Sequence, residues 1–506
     1  MKVLLANPPY KIRIDSKTEK YFVRAGSRWP FSIKKNISEP LLYVPYPFFL
    51  GYTATLLKQK GYKVLAIDAV ALNLSEEEFI ERTIKKSPDV ILIETTTPTF
   101  YYDISLIRRL KDINKKLIVA LAGSHVSAFP EESIKIDVVD YVICGEYEFV
   151  FTELIDRLSK GLSYDDLKGL WYKRDGEIIR GGHSELIAPL DLLPYPDRDI
   201  FPDDENPNIN IYWDGFCQYK PAIQMHASRG CPFRCYFCLW NQVMYNNGKY
   251  RMFSLNRVIS EIEEVINKYH PKEIYFDDDD FTVNKSYVMS ICDEMIKRKI
   301  KVKWSCMGNI MNLDEEMIEM MYKAGCIGIK FGVESASPVI LKRLGKPMNL
   351  KKVIQNVKLL NKYGIKTHAT FVFGLLEETK QTMQQTLNFA KILDVDTVQF
   401  SICVPYPGTK FFSILTVKGY IKSLNFEDFD GSNKCVFDYP ELKSNEIEEF
   451  FCNAFNVWIK HKLLSLSWVL RQFKRSLKIL LFSNKESRMA LFSIIKRVIE
   501  RWLFKK

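Results

Sequence analysis

Short apolar runs alternate with helical patterns through the first 150 residues. The apolar runs predict five strands, at residues 3–6, 63–67, 90–94, 117–121 and 141–144. A helical pattern such as residues 51–60, closed by Gly61, lies between successive strands. Alternation of this kind is typical of a parallel sheet with helices on both faces. The pattern therefore predicts an α/β, doubly wound, Rossmann-like domain over residues 1–150.

A second strand–helix series begins near residue 218. Helical patterns follow its strands, for example residues 314–324, closed by Gly325, and residues 350–362, closed by Gly364. Six repeats favour a partial (β/α)6 barrel over residues 218–415 rather than an eightfold one. The six predicted strands span residues 223–227, 273–276, 301–305, 327–333, 367–373 and 397–402.

Two further segments complete the predicted organisation. Residues 151–217 form a connector, with a hairpin at residues 169–179 around an Asp175-Gly176 turn. Residues 416–506 form a helical C-terminal region whose last part is strongly basic. Four regions are therefore expected, at residues 1–150, 151–217, 218–415 and 416–506.

The ends of the predicted strands carry the candidate ligand-binding residues, because parallel sheets bind ligands at the carboxyl ends of their strands. In the first domain glycine and hydroxyl residues would let a large planar ligand lie close to the backbone, although ordinary turn residues are the alternative. These residues are Thr95, Thr96, Thr97, Gly123, Ser124, His125, Gly145 and Glu146.

The second series ends its strands in acids, with Asp277 to Asp280 after the second strand and Glu334 after the fourth. Carboxylates at a barrel mouth suit the amino group and ribose hydroxyls of a nucleoside–amino-acid ligand. For most of the Asp run, solvated loop acids are the expected alternative. Arg343 and Lys346 are expected to be surface charges.

Three cysteines on one loop are the strongest chemical signal. Cys231, Cys235 and Cys238 follow the first strand of the second series, and three thiolates can hold three corners of an iron–sulfur cubane while the fourth iron stays open. A structural zinc site is the alternative, but it usually needs four ligands in paired clusters. The chain has 11 cysteines, an odd number, and the other eight are scattered singly. Disulfides are therefore not expected, and the loop predicts a catalytic iron–sulfur centre.

The net charge of +11 is concentrated at the C-terminal end of the chain. Between Lys460 and Lys506 there are 13 basic residues and two acidic ones, which account for the whole excess. Two apolar stripes lie among these charges, the first flanked by Arg471, Lys474, Arg475 and Lys478. The stripes are Val469, Leu470, Phe473, Leu477, Leu480 and Leu481, then Leu491, Ile494, Ile495, Val498 and Trp502.

This pattern favours a helix that lies on an anionic membrane, and the alternative is a helical cap on the barrel with a solvated basic face. Nucleic-acid binding is not expected, because no recognised nucleic-acid module accompanies the charge. No apolar run approaches the roughly 18–20 residues of a membrane span, and the start of the chain does not look like a signal peptide. The expected location is the cytoplasm. The basic tail adds an alternative, peripheral contact with the inner membrane face.

The cysteine loop, with Arg229-Gly230 before it and the aromatic Phe237 within it, closely resembles that of radical S-adenosylmethionine (SAM) enzymes. Residues 123–131 and 139–146 resemble the last two strand ends of a cobalamin-binding domain, and residues 332–335 and 371–379 are similar to later barrel motifs. The chain thus resembles the cobalamin-dependent radical SAM enzymes, the group of the class B methylases and the anaerobic magnesium-protoporphyrin cyclase. The resemblance covers about residues 1–410.

The resemblance implies three cofactors and their binding residues. Cys231, Cys235 and Cys238 would ligate a 4Fe–4S cluster, and SAM would chelate its fourth iron. The residues implied for SAM are Asp278 at the methionine amino group, Glu334 near the ribose, the backbone around Phe237 beside the adenine, and Gly374. The strand-end residues from Thr95 to Glu146 would surround cobalamin. The loop that often supplies an axial histidine to cobalamin begins Asn7-Pro8-Pro9-Tyr10 and has no histidine, so His125 is interpreted as a pocket residue.

The implied activity is methyl transfer to an unactivated carbon or phosphorus centre, through a 5′-deoxyadenosyl radical and methylcobalamin. Two alternatives stay open: a non-methylating cobalamin radical SAM oxidoreductase or cyclase, and a non-catalytic binding or assembly protein on the same scaffold. The expected partners are a small-molecule or lipid-linked substrate and a ferredoxin or flavodoxin as electron donor. The basic tail and the insert at residues 21–36 are the predicted specificity elements.

Overall fold

A computed structural model describes residues 1–41, 43–431, 434–489, 491, 492, 495 and 496. The strands are β1 Lys2–Asn7, β2 Lys11–Arg13, β3 Thr18–Val23, β4 Phe31–Asn36, β5 Lys63–Asp68, β6 Val90–Glu94, β7 Ile118–Ala122, β8 Tyr141–Ile143, β9 Leu170–Arg174, β10 Glu177–Arg180, β11 Ala222–Met225, β12 Ser228–Arg229, β13 Arg251–Met252, β14 Glu273–Phe276, β15 Lys303–Met307, β16 Cys326–Glu334, β17 Lys366–Phe373 and β18 Thr397–Ile402.

The helices alternate with these strands in both series. They are α1 Phe48–Gln59, α2 Glu76–Lys86, α3 Phe100–Ile113, α4 Ser124–Ala128, α5 Pro130–Lys135, α6 Glu148–Lys160, α7 Leu255–Tyr269, α8 Lys285–Lys297, α9 Glu315–Lys323, α10 Pro338–Leu344, α11 Leu350–Lys362, α12 Lys380–Ile392, α13 Lys410–Val417, α14 Ser444–Leu463 and α15 Leu466–Phe482.

The first sheet has seven strands in the order β10-β9-β8-β7-β6-β1-β5. Strands β5, β1, β6, β7 and β8 are parallel, and the β9–β10 hairpin adds two antiparallel strands at one edge. All five residues of β6 are buried, as expected for a strand covered by helices on both faces. The chain switches from one side of β1 to the other between β5 and β6, and open α/β sheets bind ligands at such a point.

The second sheet has six parallel strands in the sequential order β11-β14-β15-β16-β17-β18. Partly buried residues of β17 alternate with fully buried ones, as the strand period of two requires. The predicted partial barrel is therefore confirmed. A three-stranded antiparallel sheet, β2-β3-β4, was not predicted, and it occupies the N-terminal insert.

The chain divides into two compact units that do not follow the predicted domain boundaries. The first contains residues 1–212, 236–249 and 404–431, and the second contains residues 213–235, 250–403 and the described residues from 434 onward. Nearly all of the predicted connector, residues 151–212, therefore belongs to the first unit. Two later segments, residues 236–249 and 404–431, also belong to the first unit, which the sequence did not indicate.

The C-terminal helices pack within the second unit. Trp458 and Trp468 donate indole hydrogen bonds of 3.0 Å to the carbonyl oxygens of Ala390 and Val395. Arg471 pairs with Asp394 at 2.8 Å and Asp396 at 2.9 Å. Residues 444–482 are therefore a docked helical cap, the alternative that the sequence analysis did not favour. Of the second predicted stripe, Ile494, Val498 and Trp502 lie outside the described residues.

Candidate functional site

The cysteine loop begins immediately after the short strand β12 and carries three half-buried thiols, Cys231, Cys235 and Cys238. The division between the two units falls inside this loop, after Cys235. Gln242 donates hydrogen bonds of 3.0 Å to the carbonyl oxygens of Tyr236 and Cys238. These bonds fix the backbone of the last part of the loop.

The acids after β14 fix the first part of the loop. Asp278 is fully buried and accepts hydrogen bonds from the Ala227 amide, at 3.2 Å, and from the Ser228 hydroxyl. Asp279 accepts one of 2.8 Å from the Gly230 amide. Because Asp277, Asp278 and Asp280 are all at most 4% exposed, the expectation that most of the run is solvated is wrong. The role predicted for Asp278 at a SAM amino group stays a prediction.

Glu334 stands at the carboxyl end of β16 in a left-handed backbone conformation, with φ of 66°. The register between β16 and β17 shifts between Gly332 and Glu334, and this bulge turns the carboxylate toward Lys346. The Lys346 ammonium donates 2.9 Å hydrogen bonds to Glu334 Oε1 and to the Gly332 carbonyl oxygen. The two side chains are only 11% and 13% exposed.

Lys346 is therefore largely buried against Glu334, and the expectation that it is a surface charge is wrong. Burial lowers its pKa, but Glu334 and the thiols of Cys235 and Cys231 raise it, and the net pKa lies above its ordinary value. Burial raises the pKa of Cys235 to about 11, and Lys346 opposes that shift. Arg343 is exposed as expected and pairs with Glu377.

The loop that carries Lys346 presses closely on the cysteine loop. Gly345 adopts φ of 85°, and a Cβ at this position would lie 2.8 Å from the Arg234 carbonyl oxygen. A side chain at residue 345 would therefore displace the backbone between the first two cysteines. Close approach of two backbones is a role that glycine fills without steric cost.

Gly374, predicted to contact SAM, follows β17 with φ of 82°. Its amide donates a 2.5 Å hydrogen bond to Glu378, and its carbonyl oxygen accepts one of 3.0 Å from the Tyr439 hydroxyl. Burial raises the pKa of Glu378 to about 8. The turn at the end of β17 is thus held from both sides.

At the carboxyl ends of β6 and β7 the first unit brings together the predicted cobalamin residues. Gly123 adopts φ of 104°, and a Cβ there would lie 2.4 Å from the Thr95 carbonyl oxygen. The hydroxyl oxygen of Ser124 is buried and has no hydrogen-bond partner among the described residues. Thr95, Thr96 and Thr97 are all buried. This edge therefore combines closely packed, buried backbone with a buried hydroxyl that has no hydrogen-bond partner among the described residues.

His125 is buried against aromatic rings. Its ring lies 4.0 Å from Phe100 and 5.0 Å from Phe426, and Nδ1 is 3.4 Å from the Thr97 hydroxyl. Burial lowers the pKa of His125 to about 3, so the imidazole is neutral. The imidazole is therefore neutral and buried among rings, and its predicted place in a cobalamin pocket stays a prediction.

The structure places Gly145 and Glu146 against the connector. A Cβ at Gly145 would lie 2.2 Å from His183, and Glu146 accepts a 2.8 Å hydrogen bond from the Ile187 amide. The described contacts of both residues hold residues 183–187 at the end of β8. Their predicted contact with cobalamin stays a prediction.

A buried polar network behind this edge was missed by the sequence analysis. Arg24 makes two hydrogen bonds of 2.6 Å to Asp103, which also accepts one of 2.6 Å from the Thr95 hydroxyl. Tyr147 donates a 2.5 Å hydrogen bond to Glu94, and burial raises the pKa of Glu94 to about 7. An arginine in a run with little strand character gave no local signal of such burial.

Comparison with known proteins finds a family model that matches each of the two strand–helix series. The model of the radical SAM superfamily matches residues 225–390, and that of the B12 binding domain matches residues 40–155. An uncharacterized methyltransferase of Pyrococcus horikoshii is 32% identical over 83% of this chain and 89% of its own length. The anaerobic magnesium-protoporphyrin IX monomethyl ester cyclase of Rubrivivax gelatinosus is 26% identical over 76% of this chain and 68% of its own.

Solved structures share the fold. The radical SAM methyltransferase TsrM from Kitasatospora setae has a TM-score of 0.62 at 16% identity, covering 82% of this chain and 75% of its own. The cobalamin-dependent radical enzyme OxsB has a TM-score of 0.64 at 17% identity, covering 100% of this chain and 76% of its own.

The chain belongs to the radical SAM superfamily, in the group whose members also carry a B12-binding domain. It is a radical SAM enzyme, and its cofactors are a 4Fe–4S cluster, SAM and cobalamin. The residues present fit these groups. Three half-buried thiols on one loop suit three irons of a cubane. The unsatisfied Ser124 hydroxyl and the neutral ring of His125 suit a large planar ligand that carries polar side groups.

Proposed function

We propose that this enzyme transfers a methyl group from cobalamin to an unactivated carbon or phosphorus centre. The observation that carries the proposal is the presence, in one chain, of the three-cysteine loop and of a neutral, glycine-containing sheet edge that suits a corrin ring. A relative named as a methyltransferase, similar over most of both chains, supports it. The relatives named as cyclases favour the alternative, a radical enzyme that transfers no methyl group.

When bound, the cluster and SAM supply a 5′-deoxyadenosyl radical that abstracts hydrogen, and methylcobalamin supplies the methyl group. The chain supplies ligands and geometry. In this proposal Cys231, Cys235 and Cys238 hold the cluster, and the backbone around Phe237 lies beside the adenine.

The charged residues of the second unit divide the remaining work. Glu334 is proposed to accept hydrogen bonds from the ribose, with Lys346 holding its carboxylate in place. Asp278 is proposed at the amino group of SAM, through the loop backbone that it holds at Ala227 and Ser228. Gly374 has no side chain, and it is proposed to let SAM lie close to the backbone of the turn after β17.

The residues proposed to hold cobalamin lie in the first unit and act mainly through backbone groups and hydroxyls. They are Thr95, Thr96, Thr97, Gly123, Ser124, His125, Gly145 and Glu146. None of these residues needs to bind the metal. The neutral imidazole of His125 is buried by Phe100 and Phe426, which suits a wall of the pocket.

Methyl transfer can be tested before the substrate is known. The enzyme is reconstituted anaerobically with cluster and hydroxocobalamin, reduced, and given SAM whose methyl group carries three deuterium atoms. We expect trideuteriomethylcobalamin and S-adenosylhomocysteine in equal amounts, together with 5′-deoxyadenosine. Deoxyadenosine without labelled cobalamin would favour the cyclase-like alternative. A triple Cys231→Ala, Cys235→Ala, Cys238→Ala variant that keeps its cellular function would favour the non-catalytic alternative.

We propose further that the enzyme acts on a small-molecule or lipid-linked substrate, and that α15 contacts an anionic lipid surface. The face of α15 opposite its docked side carries five exposed apolar residues at helical spacing: Leu466 at 72%, Leu470 at 47%, Phe473 at 62%, Leu477 at 40% and Leu481 at 59% exposed. Lys474 and Lys478 lie beside this row and are exposed. Apolar rows with basic flanks bind membrane interfaces without crossing them. Among the residues that the structure describes, no helix has the length and apolar character needed to cross a membrane.

Flotation with liposomes tests this contact. The full chain is expected to bind vesicles that contain anionic lipid, and a Phe473→Ser, Leu477→Ser variant is expected to lose most of that binding. A Val417→Ser variant, altered at an apolar residue that is 88% exposed on α13, is the matched control. Equal binding by all three proteins would show that the row on α15 is not a membrane contact.

A ferredoxin or flavodoxin is proposed as the electron donor on family grounds.

A further inference from the structure

The turn that joins β3 to β4 is fixed at its start by buried contacts. Besides its two bonds to Asp103, Arg24 donates a 2.8 Å hydrogen bond to the Glu94 carbonyl oxygen. Gly26 adopts φ of 83°, and a Cβ at this position would lie 2.3 Å from the Tyr46 carbonyl oxygen. The turn therefore forms a rigid support rather than a flexible loop.

This support holds Trp29 against the cysteine loop. The Ser27 hydroxyl donates a 2.7 Å hydrogen bond to the Trp29 carbonyl oxygen, and the Tyr406 hydroxyl donates one to the Pro30 carbonyl oxygen. The Trp29 ring lies 5.5 Å from Phe237 and 6.4 Å from Tyr406, between centroids, and is tilted by 47° and 44°. Phe237 and Tyr406 are buried, whereas Trp29 is half-buried. Part of the indole therefore stays accessible while its neighbours support it.

The position of Trp29 in the chain separates it from the common machinery. The β2–β4 sheet precedes residue 40, where the match to the B12 binding domain begins. Phe237, in contrast, lies between Cys235 and Cys238 in the segment that matches the radical SAM superfamily. An element outside both matched regions thus contacts the loop that carries the cluster ligands. Such an element can vary with the substrate while the cofactor chemistry stays the same.

We propose that Trp29 is a specificity-determining residue, whose accessible ring packs against an apolar or ring-bearing part of the substrate at the cysteine loop. An indole offers a large apolar surface at a small cost in conformational entropy. The ring and its two aromatic neighbours carry no formal charge, so they select hydrocarbon or aromatic surface rather than an anionic group. The inference rests on the proposed function, because it requires radical chemistry at the cluster.

Hydrogen transfer from a labelled probe tests the proposal without the natural substrate. The holoenzyme, with cluster and cobalamin, is mixed anaerobically with SAM, dithionite and either toluene-d8 or glycerol-d8. Each transfer uses one SAM and one electron from dithionite, breaks a C–D bond of the probe and forms one on 5′-deoxyadenosine. The probe radical is then reduced by a second dithionite electron and a proton. Separate reactions with each probe, read by mass spectrometry, give the ratio of toluene-derived to glycerol-derived deuterium.

The wild-type enzyme is expected to take more deuterium from toluene than from glycerol. Trp29→Ala is expected to lower this ratio about five- to tenfold, which corresponds to the loss of an aromatic contact of about 1–1.4 kcal/mol. Trp29→Phe, which keeps a ring, should retain more than half of the wild-type ratio. Phe149→Ala, which removes an aromatic ring that is 37% exposed on α6, is the matched control and should leave the ratio unchanged.

Three results would overturn the proposal. The wild-type enzyme could make deoxyadenosine with no preference for toluene, or Trp29→Ala could keep the wild-type ratio. Total deoxyadenosine could also fall in Trp29→Ala while the ratio is unchanged, which would make Trp29 a support of the cysteine loop only. A wild-type enzyme that makes no deoxyadenosine marks the failure of the proposed function instead, and this outcome is distinct from the other three.

Discussion

The carboxyl end of the first sheet carries mostly hydroxyls, glycine and a neutral imidazole. The carboxyl end of the second sheet carries thiols and carboxylates, together with the ammonium group of Lys346, which was predicted to be a surface charge. Ser124 and His125 represent the first set, and Glu334 and Lys346 the second. Both edges are built by the same parallel-strand geometry. We propose that the difference lets one architecture serve a large, weakly charged macrocycle at the first edge and a compact, charged sulfonium ligand at the second.

The largest expected effect comes from removing a thiol from the charged edge. Cys231→Ala is expected to lose cluster iron and to reduce deoxyadenosine formation to background, because the cubane would lack one of its three protein ligands. Cobalamin retained after gel filtration should not change. Cys452→Ala, which alters an exposed thiol on α14, is the control and should behave as wild type. Loss of cobalamin together with the cluster would mean that the two edges do not act separately.

The neutral edge can be broken at Gly123. Gly123→Ala places a Cβ 2.4 Å from the Thr95 carbonyl oxygen in a left-handed conformation, so the ends of β6 and β7 must separate. We expect about tenfold weaker cobalamin binding, equal to about 1.4 kcal/mol, measured by equilibrium dialysis. Iron content should stay at the wild-type value.

Gly161→Ala is the matched control for this change. It also has a positive φ, of 64°, but its Cβ would meet no atom of the described residues within 4 Å. If both variants weaken cobalamin binding equally, strain alone is responsible and the close approach at Gly123 is not part of the cofactor site.

Lys346→Met tests the charged edge at the ion pair between Lys346 and Glu334. It leaves Glu334 without the ammonium that orients its carboxylate, and it removes a positive charge that acts on Cys235. We expect about three- to tenfold weaker SAM binding by the reconstituted enzyme, since a partly buried ion pair loses one partner. Lys342→Met, on the exposed face of α10, should not change SAM affinity. Unchanged affinity in Lys346→Met would remove Lys346 from the proposed site.

The smallest expected effect concerns pH and the carboxyl group behind the neutral edge. Burial raises the pKa of Glu94 from its ordinary 4.5 to about 7 in the folded chain. Between these values the folded state holds a proton that the unfolded state has released, so the free energy of unfolding falls as pH rises from about 4.5 to about 7. Glu94→Gln should flatten this part of a urea-unfolding series. A steeper slope in the variant would contradict the raised pKa.

Local sequence patterns were sufficient for most of the fold. The strands of both parallel sheets have long apolar runs with clear stops, and their predicted positions differ from those observed by one or two residues. The β2–β4 sheet was missed, because β2 is only three residues long and four of the six residues of β4 are exposed or partly exposed. The charged and apolar residues of β3 and β4 do not follow a clear period of two.

The site was predictable where chemistry is local and less so where tertiary contacts decide it. Three cysteines on one loop are visible in any sequence of this kind. Lys346 looked like a surface charge, since its burial depends on a β-bulge at Glu334, which no local pattern announces. The burial of Asp278 likewise depends on amide groups at Ala227 and Ser228, some 50 positions earlier in the chain.

The return of residues 404–431 to the first unit has a consequence for how the enzyme is made. Phe426 from this segment stacks on Tyr101 at 5.4 Å and covers His125, and Glu427 receives a hydrogen bond from Tyr10. A ribosome has produced every strand of the first sheet by residue 180, yet these covering side chains are still untranslated. Until residue 426 has emerged, the aromatic edge around His125 stays open to chaperones and to the solvent. An isolated N-terminal fragment that lacks Phe426 would keep this aromatic surface exposed.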